Sequence, residues 1–252
     1  MIDSHCHLDL AAFDRDREDV LARAAAAGVE GILVPAIRPA TWDAVRALAG
    51  GLVRIALGIH PQIVPDLDPS ERALTPEALA QAARDAGALA IGECGLDGAT
   101  GERELQEDLL RRHVRAARLA QLPLVVHVLR AHDLAPRVLR EERAHEVGGV
   151  MHSYSGGADL VPIYRDLGFA FSFAGPVTYE NARRPLEAVR AVPADLLLVE
   201  TDAPDQAPAK HRGGRSEPAF VAEIVAAIAA ATRRDDIAAV TTANARRVFT
   251  WT

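Results

Sequence analysis

Six side chains of the kind that bind divalent cations stand at the ends of apolar runs spread along the chain. They are His5 and His7, Glu93, His127, His152 and Asp202. Neutral imidazole nitrogens and carboxylate oxygens form a mixed set that suits zinc, manganese or iron. Magnesium prefers oxygen, yet serves where substrate phosphates complete its shell. Residues two apart in a strand point to one face. A strand through His5 and His7 therefore presents both imidazoles together. A carboxylate such as Glu93 is able to bridge two cations about 3.5–4 Å apart, the spacing of two-metal hydrolytic sites. Asp202 ends the last apolar run, where a carboxylate is costly unless paired or bound to metal. Taken singly, an HxH pair, a strand-end Glu or a core His has an ordinary structural explanation. The set of six, on five different runs, points to a metal-dependent hydrolase.

Other residues have weaker claims. His60, in Leu57-Gly-Ile-His60-Pro61, also ends an apolar run. It either orients substrate or a phosphate oxygen, or it caps the turn before Pro61. Arg130, Arg212 and Arg215 are candidate phosphate clamps, and each also reads as a solvated loop charge. His113, His132 and His145 fall in or beside helical stretches and are expected at the surface or behind the ligands. His132 lies close enough to Arg130 in sequence to reach the rim. His211 sits in a late loop beside Arg212.

The elements that must position these groups alternate in type. Short β-rich apolar runs are predicted near 2–7, 30–35, 52–58, 88–93, 123–128, 148–152, 169–173 and 195–201. Helical patterns fall near 15–27, 40–49, 75–86, 101–121, 131–143, 157–167, 181–191, 217–231 and 235–249. Eight strand–helix alternations in this length fit a (β/α)₈ TIM barrel, an α/β fold whose active site lies at the C-terminal rim of the strands. An open doubly wound sheet would need fewer strands and normally carries a Gly-rich dinucleotide turn, which is absent. No linker divides the chain, so one domain over residues 1–252 is expected. The irregular stretch from Ala203 to Pro218 directly follows Asp202, and loops of that length are more often functional than idle.

Half of the residues are hydrophobic and only 4% are aromatic, so the core must rest on Ala, Val, Leu and Ile. The net charge of −7 argues against a globally basic nucleic-acid binder but leaves room for a local basic rim. The two cysteines, Cys6 and Cys94, adjoin proposed ligands and are expected to be reduced apolar fillers. No signal peptide or bilayer-spanning run is visible, so a cytoplasmic protein without membrane contact is expected. A monomer is favoured.

Taken together, these segments resemble the TatD family of metal-dependent hydrolases and deoxyribonucleases, among the amidohydrolase-like barrels. The matching stretches are DSHCHLD from Asp3, GIHP from Gly58, IGECGLD from Ile91, PLVVH from Pro123, HSYSG from His152, GPVTY from Gly175 and ETDAP from Glu200. HRGGRSEP from His211 is similar to the family's late loop. The resemblance covers nearly the whole chain in the family's order. It implies that His5, His7, Glu93 and Asp202 hold one divalent ion and that Glu93, His127 and His152 hold a second. It further implies that Asp202 takes the proton from the attacking water and that His60 faces substrate. Four positions depart from the pattern, among them Ser216, which stands where the family commonly has Asn before Glu217-Pro218. Gly98 replaces a common aromatic, and Asp205 and Gln206 replace a common Tyr-Leu pair. These changes leave the ligands intact and bear on nucleic-acid binding.

The expected reaction is hydrolysis of a phosphoric ester with two divalent ions (zinc, manganese or magnesium), Asp202 acting as general base. Its substrate is then nucleic acid, as single-stranded or frayed DNA, or a small phosphoester. Alternatives are hydrolysis of a small amide or lactone, and a binding barrel that has lost catalysis.

Overall fold

Each strand is buried on both faces, which is why the apolar runs of the sequence are continuous rather than alternating. The computed structural model describes residues 1–251. Its strands are β1 (Ile2–Asp3), β2 (Gly31–Pro35), β3 (Val53–Leu57), β4 (Ala90–Asp97), β5 (Leu124–Leu129), β6 (Gly149–Met151), β7 (Phe169–Phe173) and β8 (Leu197–Val199). They pair in sequence order, all parallel. Just beyond β1 and β8 the ring is drawn together. The Ser4 N–H donates to the Val199 carbonyl at 3.1 Å, and the Asp202 N–H donates to the His5 carbonyl at 2.9 Å. The fold is a (β/α)₈ barrel, nearly closed by the strand ladder alone.

The helices are α1 (Arg17–Ala26), α2 (Trp42–Leu48), α3 (Pro69–Arg72), α4 (Pro76–Asp85) and α5 (Arg103–Ala120). They continue with α6 (Ala135–Glu141), α7 (Val161–Asp166), α8 (Arg183–Ala191), α9 (Val221–Thr232) and α10 (Ile237–Val248). On α5 the buried residues Leu110, Val114 and Ala117 recur at helical spacing, so one stripe faces the sheet. At α3, the Asp68 side chain accepts from the Glu71 N–H while Glu71 reaches back to the Asp68 N–H. This reciprocal capping stabilises a helix too short to persist by itself.

One side chain from every strand points into the barrel and joins a separate buried cluster: Ile2, Leu33, Ala56, Ala90, Val125, Val150, Ala170 and Leu198. Alanines on three of the eight strands make room for the larger residues on the others. Ala245, Phe249 and Trp251, at the end of α10 and just after it, pack on this cluster. The bottom of the barrel is therefore plugged by the chain's own C-terminal segment. Polar ligands find space at the opposite rim.

The strand boundaries differ from the sequence expectation in two places that matter. The ladder of β1 covers only Ile2–Asp3, not 2–7. Beyond it the backbone bonds to both sides: the Cys6 N–H reaches the Leu33 carbonyl, and the His7 N–H reaches the Ala203 carbonyl. This alternation keeps the chain extended without a regular ladder. In the other direction, β4 runs on to Asp97, so Glu93 lies inside a strand and not at its end. Its register with β5 shifts between Ile91 and Cys94, the place where Glu93 departs from the ladder. Gly95 permits the tight pairing beyond that point. Its φ is +145°, and a Cβ there would stand 1.9 Å from the His127 carbonyl oxygen. The short α3 has no counterpart in the sequence expectation.

Candidate metal centre

Glu93 is fully buried, and its two oxygens face different groups of nitrogens. Oε2 lies 3.0 Å from His5 Nε2 and 3.3 Å from His7 Nε2. Those two nitrogens are 3.1 Å apart. Asp202 Oδ1 completes this group, 3.6 Å from His5 Nε2 and 3.8 Å from His7 Nε2. On the other side, Oε1 lies 2.7 Å from His152 Nε2, 2.8 Å from His60 Nε2 and 3.1 Å from His127 Nδ1. A tetrahedral shell with bonds of about 2.0–2.2 Å sets neighbouring donor atoms about 3.3–3.6 Å apart. The group of His5, His7 and Asp202, at 3.0–3.8 Å, spans that scale, and the group of His127 and His152, at 2.7–3.2 Å, is drawn tighter. The Glu93 oxygens and the Nδ1 atoms of His5 and His7 are buried without a hydrogen-bond partner among the described residues. Buried carboxylate oxygens left unpaired in this way fit a carboxylate that holds cations.

The rings differ in which nitrogen is free to bind. His127 Nε2 is 3.4 Å from Asp97 Oδ2, so its hydrogen belongs there and the Nδ1 lone pair faces Glu93. His152 Nδ1 is 3.4 Å from Glu200 Oε1, which leaves Nε2 facing the site. His60 is the opposite case. Its Nδ1 accepts the Gln62 N–H at 3.0 Å, so a neutral ring must carry its hydrogen on Nε2, the nitrogen 2.8 Å from Glu93 Oε1. His60, Glu93 and His127 do lie close enough to hold an ion. That tautomer leaves neither ring nitrogen with a free lone pair, so His60 caps the turn after it and stands beside Glu93 rather than serving as a ligand.

Charge follows this arrangement. Burial works against the Glu93 anion, but His152, His60 and His5 hold its carboxyl well below the usual range. Burial pushes His5 down to about 4. Burial also opposes charge on His7, yet Glu93 and Asp202 outweigh it and raise the ring to about 9. Two nitrogens 3.1 Å apart cannot both be protonated cheaply, and the ring at the edge of the cavity takes the proton. Burial, with Glu200 and Glu93 nearby, pushes Asp202 up to about 6. Contact with His127 keeps Asp97 well below the usual carboxylate range. Cys6 and Cys94 are buried free thiols, and burial pushes both up.

The centre opens into a cavity of about 600 Å³ lined by His7, His60, Glu93, His127, His152 and Asp202 together with Ile37, Ile63, Leu129 and Phe173. None of Arg130, Arg212 and Arg215 lines it. Arg130 is exposed. Arg212 stands 4.9 Å over the Tyr179 ring. Arg215 is committed to Asp16, with two bonds of 2.7 and 2.6 Å, and to the Ala12 carbonyl. His132 bonds to Tyr164 Oη at 2.8 Å and Ser155 Oγ at 3.2 Å, just behind the cavity wall. His113 is not a surface group. It is fully buried on α5, where Nε2 accepts the Ile59 N–H at 3.0 Å.

Sequence reasoning passed over Asp97, Glu200 and Gln206 as working parts of the site. Asp97 and Glu200 lay inside matched motifs, and their spacing from the ligands was the only available signal. Gln206 had appeared only as a departure from a pattern. Its amide binds Asp202 and Ser153.

Comparison with known proteins gives the chain a family. The family model for TatD related DNase matches residues 2–250. The uncharacterized metal-dependent hydrolase YabD of Bacillus subtilis is 34% identical, covering 99% of this chain and 98% of the relative. The uncharacterized metal-dependent hydrolase YcfH of Escherichia coli is 36% identical, covering 99% of this chain and 95% of the relative. The crystal structure of YjjV, a TatD homolog from Escherichia coli, superposes with a TM-score of 0.91 at 31% identity. It covers all of this chain and 98% of its own. By family model, relatives and structure alike, this chain belongs to the TatD family of metal-dependent hydrolases.

Proposed function

We propose that the protein hydrolyses phosphoric ester bonds and that its polymeric substrate is DNA, taken as single strands or frayed ends. The observation that carries this reading is Glu93, with one oxygen toward His5 and His7 and the other toward His127 and His152. His5, His7, Glu93 and Asp202 would hold one divalent ion, and Glu93, His127 and His152 the other. Bound there, two such ions lower the pKa of a water and offset charge that develops on a phosphoryl group. Asp202, whose Oδ1 faces His5 and His7 at the cavity wall, would take the proton from the attacking water. His60 Nε2 stands 2.8 Å from Glu93 Oε1, on the side of the carboxylate that faces His127 and His152. Ile37, Ile63 and Phe173 give the cavity part of an apolar lining. The test is a labelled single-stranded oligonucleotide with Mn²⁺. Cleavage that stops with chelator and with Asp202→Asn supports the reading. No cleavage by protein shown to bind Mn²⁺ sinks it.

A second reading, a hydrolase of small esters, lactones or amides, is favoured by the cavity lining. No Lys or Arg lies among the lining residues, while Asp205 does. A polyanion must then be neutralised by the cations alone. A panel of bis(p-nitrophenyl) phosphate, p-nitrophenyl acetate, a lactone and an amide, run beside the oligonucleotide, separates the two readings.

A further inference from the structure

The two oxygens of Asp202 keep different company. Oδ1 faces the imidazoles of His5 and His7. Oδ2 accepts a hydrogen bond from the side-chain amide of Gln206. A carboxylate has only lone pairs to offer, so the amide turns its nitrogen to Asp202. That nitrogen also lies 2.7 Å from Ser153 Oγ, and the Ser153 hydroxyl donates to Gln206 Oε1 at 3.0 Å. The Ser153 N–H in turn donates to Glu200 Oε1 at 2.5 Å, the oxygen that stands 3.4 Å from His152 Nδ1. Gln206 thus links Asp202, beside one group of nitrogens, to the segment that carries His152 in the other.

The backbone is set for this link. Asp202 and Gln206 have φ of +52° and +48°, in the left-handed region that side chains with a Cβ adopt uncommonly. Both stand at the cavity wall. A carboxylate on such a turn would be free to rotate without a partner. Held at one oxygen by a neutral donor, it keeps its charge and presents the other oxygen in one direction.

We propose that Gln206 is a positioning residue for Asp202. Its amide holds the carboxylate with Oδ1 toward His5 and His7, and Ser153 anchors that amide. The proposal rests on the metal-dependent hydrolytic reading of the site, and binding of the metal alone tests it separately. Removal of an outer partner at a metal site typically costs about 10- to 100-fold in affinity or activity.

The experiment titrates Mn²⁺ alone by calorimetry into wild type, Gln206→Met, Ser153→Ala and the double variant, with circular dichroism as the check on folding. It also measures kcat and KM on bis(p-nitrophenyl) phosphate with saturating Mn²⁺. Gln206→Met should weaken Mn²⁺ binding about tenfold and lower kcat about tenfold with KM little changed. Ser153→Ala should weaken binding less. The double variant should bind about as well as Gln206→Met, because the serine acts through the amide. Mn²⁺ affinity within about twofold of wild type in both single variants overturns the proposal, taking about 10-fold as the smallest expected effect. So does a raised KM with kcat unchanged, which would make Gln206 a substrate contact. Should Gln206→Met not fold, Ser153→Ala decides the matter. Wild type that binds Mn²⁺ but leaves the ester intact counts against the hydrolytic reading, and the Mn²⁺ titration still decides on Gln206.

Discussion

The Asp97 carboxylate stands 3.4 Å from His127 Nε2, on the far side of the ring from Glu93. This one relationship fixes which nitrogen of His127 looks into the site. Asp97 is held in its turn by the Gln62 amide at 2.8 Å and by the Ala99 N–H at 2.8 Å. A ring so held loses little freedom when a cation binds it. Asp97→Asn should therefore weaken the cation on the His127 side about 10- to 100-fold and leave the cation on the His5 side nearly unchanged. Two-site Mn²⁺ titration checks this, and equal weakening at both sites would contradict it.

Glu93→Gln removes the charge shared by both nitrogen groups. Turnover should fall by at least about 10³-fold, the upper size found for a single electrostatic group in an active site. The fold should persist, because the neighbouring imidazoles can give up their protons once the shared charge is gone. Against this, His5→Ala should weaken one cation far more than the other. Near-normal turnover in Glu93→Gln, or equal loss at both sites in His5→Ala, would remove the bridging role.

His113 gives a pH dependence that is separate from the metal centre. Burial pushes it down to about 4, from 6.5 for a free ring. Above 6.5 neither the folded nor the unfolded chain protonates it. As pH falls from 6.5 toward 4, the unfolded chain takes up a proton that the folded one refuses, so stability drops. The loss levels off near 4, at no more than about 3 kcal/mol. His113→Gln removes this contribution, so the difference in urea midpoint between wild type and variant should change as pH falls through this window. A difference that does not change with pH would show that the folded ring takes up its proton as readily as the unfolded one.

Gly95→Ala tests the packing that places His127. A methyl group there would overlap the His127 carbonyl oxygen, and its φ of +145° is hostile to any side chain. The expected cost is about 3 kcal/mol or more, with loss of cation binding on the His127 side. Denaturant midpoint and Mn²⁺ titration measure both. An unchanged midpoint would mean that β4 and β5 separate there without penalty.

Residue types and their order determined much of this protein. Eight apolar runs alternating with helical stripes specify a barrel because strand and helix periodicities are local properties of the chain. His5, His7, Glu93, His127, His152 and Asp202 were legible as candidate ligands because each punctuates an apolar run. Tertiary structure alone decided how they act. Asp97 meets His127 and Glu200 meets His152 across 30 and 48 residues of chain, respectively, and only closure of the barrel brings such pairs together. That closure also set His60 beside Glu93 and tied Arg215 to Asp16, away from the cavity. It set Gln206 against Asp202. Ring tautomers and carboxylate directions depend on which neighbour supplies the nearest proton or charge. Those neighbours lie on other strands and loops, where the periodicity of a single segment carries no information.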